Sequence, residues 1–101
     1  YTHALLERGV TAIITGSDLQ ALGAIRTITS LGLSVPGDIS VIGFDDTFLM
    51  GLLDPALTTI HQPFDRLGRT AVRLVRSLMD GGPSQDIVID PELVIRASSH
   101  L

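Results

Sequence analysis

Two adjacent carboxylates, Asp45 and Asp46, close an apolar run that reads Ile39-Ser40-Val41-Ile42-Gly43-Phe44. Such a run, punctuated at its start by Pro36-Gly37-Asp38 and surrounded by helical periods, has the pattern of a core strand in a parallel α/β sheet. Ligands of these sheets sit beyond the carboxyl ends of the strands, so the two aspartates are the first candidates to touch something other than protein. The plainer reading of Asp45 is a strand-end carboxylate bonded to loop amides. Catalysis has no candidate constellation. Neighbouring residues of a strand point to opposite faces, so the pair cannot share a proton. His3, His61 and His100 stand far apart, and none is spaced with a nucleophile and a carboxylate or as a metal ligand. Gly16-Ser17-Asp18 is a poor phosphate cradle, because its carboxylate occupies the place of the anion.

The elements that position these residues follow in order. Tyr1 to Arg8 reads as the last turns of a helix closed at Gly9. It lacks a leading cap, which implies that the chain begins inside an element. Thr11 to Thr15 is a short strand. Ser17 then caps a helix, with Gln20 completing a capping box, and the helix runs to Leu31-Gly32. Its apolar face is read as Leu22, Ile25 and Ile28, with Leu19 and Ala21 to one side. A strand from Ser40 to Phe44 follows, then an apolar segment (Phe48, Leu49, Met50, Leu52, Leu53) too greasy for an ordinary surface loop.

Leu57 to His61 gives another strand, and Pro63 opens a helix. Leu67, Ala71, Leu74 and Leu78 line one face of that helix; Arg66, Arg69, Arg73 and Arg76 line the other. The arginine stripe is most simply a solvated face. Gly81-Gly82-Pro83 stops the helix. Ile87 to Ile89 and Leu93 to Arg96 are read as two last strands, interrupted by Asp90-Pro91.

The 101 residues allow at most one domain. With 45% hydrophobic and 18% charged residues the chain is globular, and with 4% aromatic residues its core is aliphatic. A net charge of -4 and the scattered arginines argue against nucleic-acid binding by these residues themselves. There is no cysteine, which excludes disulfides and thiolate metal sites. No apolar run approaches a membrane span and nothing at the start reads as a signal peptide, so a cytoplasmic chain is the expectation.

Three motifs in order, Gly16-Ser17-Asp18-Leu19-Gln20-Ala21-Leu22-Gly23-Ala24, Val35 through Asp46, and Pro55-Ala56-Leu57-Thr58-Thr59-Ile60-His61-Gln62-Pro63, resemble the C-terminal part of LacI/GalR-family transcriptional regulators. The tail Pro91-Glu92-Leu93-Val94-Ile95-Arg96 fits as well. The resemblance implies an α/β fold: part of a periplasmic binding protein type I-like lobe, with a parallel sheet in a three-layer α/β/α arrangement. The DNA-binding headpiece and most of the first lobe would be absent from this stretch. It also implies an effector site. Asp45 matches the family's effector-binding aspartate, whose carboxylate accepts paired hydrogen bonds from neighbouring hydroxyls.

Gln62 and Phe64 fall at or beside the crossover between lobes, where an amide bonds hydroxyls and a ring lies against a sugar's apolar face. Phe64 is equally readable as core. Ser17 stands where the family usually has an effector-bonding asparagine, and is first of all a helix cap. Asp18 is assigned to the helix N-terminus, and Asp46 to the turn or to a cap of the next helical segment.

The implied function is effector sensing and dimerisation in a repressor whose DNA contact lies in the missing headpiece. The effector would be a small polar metabolite, a sugar or a related compound, with no cofactor and no metal. Leu22, Arg26, Leu49, Met50, Leu52 and Leu53 are the residues assigned to a homodimer interface, with local core under a loop as the alternative for the leucines and the methionine. A periplasmic-type solute receptor of a transport system is the rival reading of the same fold.

Overall fold

The computed structural model describes residues 1–100. In chain order it contains α1 (Thr2–Leu6), β1 (Ala12–Ile14), α2 (Asp18–Ser30), β2 (Ser40–Ile42), a 3-10 helical turn (Phe48–Leu52), β3 (Thr59–His61), α3 (Phe64–Met79) and β4 (Glu92–Val94). These form two compact units: Tyr1–His61 with the segment from Glu92 onward, and Gln62–Pro91.

In the first unit β1 and β2 pair in parallel, with Ile13 opposite Val41. Parallel strands need a crossover, and α2 supplies it. The pairing continues at the end of β2, where Ile42 bridges Thr58, and beyond it, where Asp45 bridges His61, both in parallel. β3 in turn pairs antiparallel with β4, Thr59 facing Val94. The core joins Ile13 and Val41 of the strands to Ala21, Ala24, Ile25 and Ile28 of α2, and to Ile39, Met50 and Leu57. It is aliphatic, as the composition requires.

Helix α2 starts where expected. Ser17 Oγ accepts from the Gln20 amide at 3.3 Å, while Gln20 Oε1 reaches back to the Gly16 amide at 3.0 Å, one residue beyond the usual capping-box partner. Its buried stripe differs from the expected one. Leu19 is 75% exposed and Leu22 only half-buried, whereas Asp18 is buried with Ala21, Ala24, Ile25 and Ile28. The helix is rotated so that its first residue, a carboxylate, lies on the inner face. An apolar count cannot register that.

The strands are shorter than the sequence implies, and Ile87 to Ile89 forms none. Pro83 and Pro91 flank that stretch, and Val88 is left 84% exposed. Around the helices, Gly9, Gly32 and Gly81 adopt positive φ at three of the ends, which only glycine does at little cost.

The second unit is α3 and the segment after it. The helix begins at Phe64, with Pro63 just before it, and Gly82 N–H donates to Ser77 O at 2.8 Å as the helix closes. No residue of α3 is buried. Asp65 and Arg69 pair one turn apart at 3.1 Å, which fits a solvated charged face.

Candidate functional site

Past β2 the chain enters a turn whose backbone is unusual. Asp45 has φ 115° and Asp46 φ 57°, both in the left-handed region that residues with a Cβ seldom adopt. Sequence reasoning placed Asp45 and Asp46 on a strand with opposed side chains. The structure corrects this: the strand ends at Ile42 and the aspartates form a turn. Backbone bonds hold it from β3, with Gly43 N–H donating to Thr58 O and Asp45 N–H to Ile60 O, each at 2.9 Å. Gly43 is required for the approach. A Cβ there would collide with Asp18 Oδ1 and stand 2.8 Å from Leu57 Cδ2.

The side chain of Asp46 turns into the protein. Its Oδ1 accepts from Arg96 Nη2 at 2.7 Å and its Oδ2 meets His61 Nδ1 at 3.1 Å. Arg96 Nη1 also donates to Leu57 O at 2.9 Å. Asp46 thus serves the turn, as expected, but through a partly buried ion pair rather than a cap. The 3-10 turn that follows has Thr47 at its N-cap and no side-chain cap bond. Residues 46, 61 and 96 come together from separate strands or strand ends, and no spacing in the sequence signals it.

Asp18, assigned from the sequence to the helix N-terminus, directs its carboxylate out of the helix instead. Its Oδ2 accepts from the Thr47 amide at 2.7 Å and the Thr47 hydroxyl at 3.1 Å, and its Oδ1 accepts from the Thr59 hydroxyl at 2.5 Å. Its own amide donates to Phe44 O at 2.8 Å. Ser17, one residue earlier, performs the capping.

The carboxyl end of the parallel pair thus brings together the α2 N-terminus and the Asp45 turn. Gln62 and Phe64 belong to the second unit; Gln62 is half-buried and the Phe64 ring is 56% exposed. Of the residues assigned to a dimer, Leu49 and Leu52 are exposed, as is Arg26, while Leu22 is half-buried. Met50 is a correction. It lies in the core at 6% exposure, because the tight 3-10 turn points it inward between exposed leucines. Leu53 packs half-buried against the same core. Among the described residues no group of His, Asp and Glu is arranged to hold a metal ion, and no helix is long and apolar enough to cross a membrane.

A parallel sheet with a carboxylate-bearing turn at its carboxyl edge is the architecture of a ligand-binding α/β lobe. Residues 2–99 match the family model of the periplasmic binding protein-like domain. The chain is 46% identical over 98 residues to the HTH-type transcriptional regulator MalR of Streptomyces coelicolor, covering 95% of this chain and 28% of that protein. It is 47% identical over 90 residues to the HTH-type transcriptional repressor PurR of Yersinia enterocolitica, covering 87% and 26%.

Among solved structures, a dimeric Lac repressor with a C-terminal deletion superposes with a TM-score of 0.87 at 40% identity, over 97% of this chain and 37% of that one. The complex of the regulator CelR with cellobiose superposes with 0.89 at 32% identity, over 97% and 31%. The chain belongs to the periplasmic binding protein-like domains of the LacI/GalR family of transcriptional regulators. It spans little more than a quarter of the length of the curated relatives.

Proposed function

We propose that these residues are the effector-sensing and dimerising part of a longer LacI/GalR-like repressor, in which a sugar or related polar metabolite binds at the Asp45 turn. The observation that carries this reading is the turn itself. Asp45, assigned to effector binding by the sequence resemblance, stands at the carboxyl end of the parallel pair, its backbone held in a left-handed form by bonds on both sides. Strained backbone of this kind is kept where the surroundings over-determine it, typically at ligand sites.

Asp45 would accept hydrogen bonds from vicinal hydroxyls. Ser17 would add at most a secondary contact beside its capping role. Cellobiose in the CelR neighbour, and lactose and ribose in two further neighbours at 31% and 29% identity, support a sugar. Leu49 and Leu52, with Arg26 and Leu22 of α2, would face a second copy; the dimeric state of the Lac repressor neighbour supports a dimer.

DNA contact would lie in a headpiece outside this chain, consistent with the acidic balance, and a DNA-bound regulator would act in the cytoplasm. The relatives are regulators rather than enzymes or transport receptors, so the solute-receptor alternative is not favoured. The test is operator binding by the longer protein, followed by fluorescence anisotropy with cellobiose, lactose and ribose added in turn. The reading expects one of these sugars to change operator affinity about tenfold, a typical coupling. Failure of all three to change it would overturn the assignment of a sugar effector.

A further inference from the structure

We infer that Asp18 is a positioning residue for the candidate effector aspartate: from the first turn of α2 it grips the chain on both sides of Asp45 and Asp46 and holds that turn in its left-handed form. The inference rests on the reading of Asp45 as the effector contact.

Asp18 is 1% exposed and is the one charged residue on the buried stripe of α2. A first-turn acid that only complements the helix dipole gains its modest benefit while solvated. Burial of a carboxylate is costly unless its oxygens are bonded. Here both are, and the bonds reach out of the helix. Oδ2 takes the amide and the hydroxyl of Thr47, just after the aspartate pair, and Oδ1 takes the hydroxyl of Thr59 on β3. The Asp18 amide holds Phe44 O, just before the pair.

Between these two grips lie Asp45 and Asp46, the two non-glycine residues of positive φ among the described residues. Such conformations persist only under constraint, and the Thr47 bond supplies it from the side that the strand ladder does not reach. Gly43 agrees with this assignment, since any side chain at that position would push the Asp18 carboxylate away. Helix capping does not account for Asp18, because Ser17 Oγ already takes the Gln20 amide.

The experiment is hydrogen exchange followed by mass spectrometry on the longer regulator, comparing Asp18→Ala, Asp18→Asn and the parent. Losing a charge-assisted bond should raise exchange of the 44–49 segment by about tenfold or more, without a matching rise in the 12–15 and 39–42 strands. Asp18→Asn, which keeps an acceptor for the Thr47 amide, should restore most of the protection. An unchanged 44–49 segment, or an equal rise throughout the unit, overturns the inference.

If Asp18→Ala does not fold, Thr47→Ala at its exposed position removes the hydroxyl bond alone. It should raise exchange of the same segment by about threefold, and no rise overturns the inference. Calorimetry with cellobiose, lactose and ribose separates the two readings. Sugar binding lost in Asp45→Ala but retained unchanged in Asp18→Ala defeats the positioning role alone. Binding unchanged in Asp45→Ala defeats the effector reading, while exchange still decides whether Asp18 holds the turn.

Discussion

At the scale of single residues, close approach and charge decide most of what this chain does. Gly43 is buried where α2, Leu57 and Thr59 converge, so Gly43→Ala should destabilise the chain by about 1–3 kcal/mol, the range for overpacking a filled site. Denaturant unfolding checks it: a midpoint unchanged from the parent would show that the neighbours yield freely. Asp38 has a different role, in the turn leading to β2. Its Oδ2 accepts from both the amide and the hydroxyl of Ser34 at 2.7 Å, the amide bond first in effect, and these hold its pKa below the usual value of 3.8.

Because the folded value is the lower one, the stabilisation from Asp38 is fully present above the ordinary aspartate range. It is lost as pH falls through the lowered value. Thermal unfolding as a function of pH should therefore show a shallower acid limb in Asp38→Asn than in the parent. Identical limbs would contradict the assignment.

At the scale of elements, the returning tail ties the strands together. Ser98 Oγ accepts from the Thr58 amide at 2.8 Å and donates to Val41 O at 2.6 Å, and Ser98 is fully buried. Thr58 Oγ1 takes the Arg96 amide at 2.9 Å. Removing one partner leaves the other buried and unpaired, so Ser98→Ala should cost about 1–3 kcal/mol in chemical denaturation. A loss within error of zero would mean that the site relaxes around the gap.

The sequence made some of these elements legible and hid others, for physical reasons. Ser17 and Gln20 announce the start of α2 because a cap is a local bond, and Gly9 and Gly81 announce ends because positive φ is a local demand. The inward turn of Asp18, the Asp46 ion pair with Arg96 and the burial of Met50 depend on residues 29 to 50 positions away or on the pitch of a single turn. Ile87 to Ile89 looked like a strand because its residues are β-branched, but strand propensity describes a fit to neighbours. The structure gives that stretch no ladder.

At the scale of the whole molecule, the α/β class and the family were readable from three motifs in order, and the comparisons bear both out. The proposed assembly is less directly written. Phe48, Leu49 and Leu52 stay exposed on one short turn, a density that suits contact with a second copy. Leu52→Asp in the longer regulator should shift it toward monomer by about tenfold or more in dissociation constant, read by sedimentation equilibrium. An unchanged dimer would move the interface elsewhere.

Effector binding at the Asp45 turn is the claim on which the rest depends, and calorimetry of Asp45→Ala in the longer regulator tests it most directly, with the sugar that changes operator affinity as titrant. Loss of charge-assisted bonds to the sugar hydroxyls should weaken binding by about tenfold or more. A dissociation constant equal to the parent's would contradict the account and return Asp45 to the ordinary role of a strand-end carboxylate.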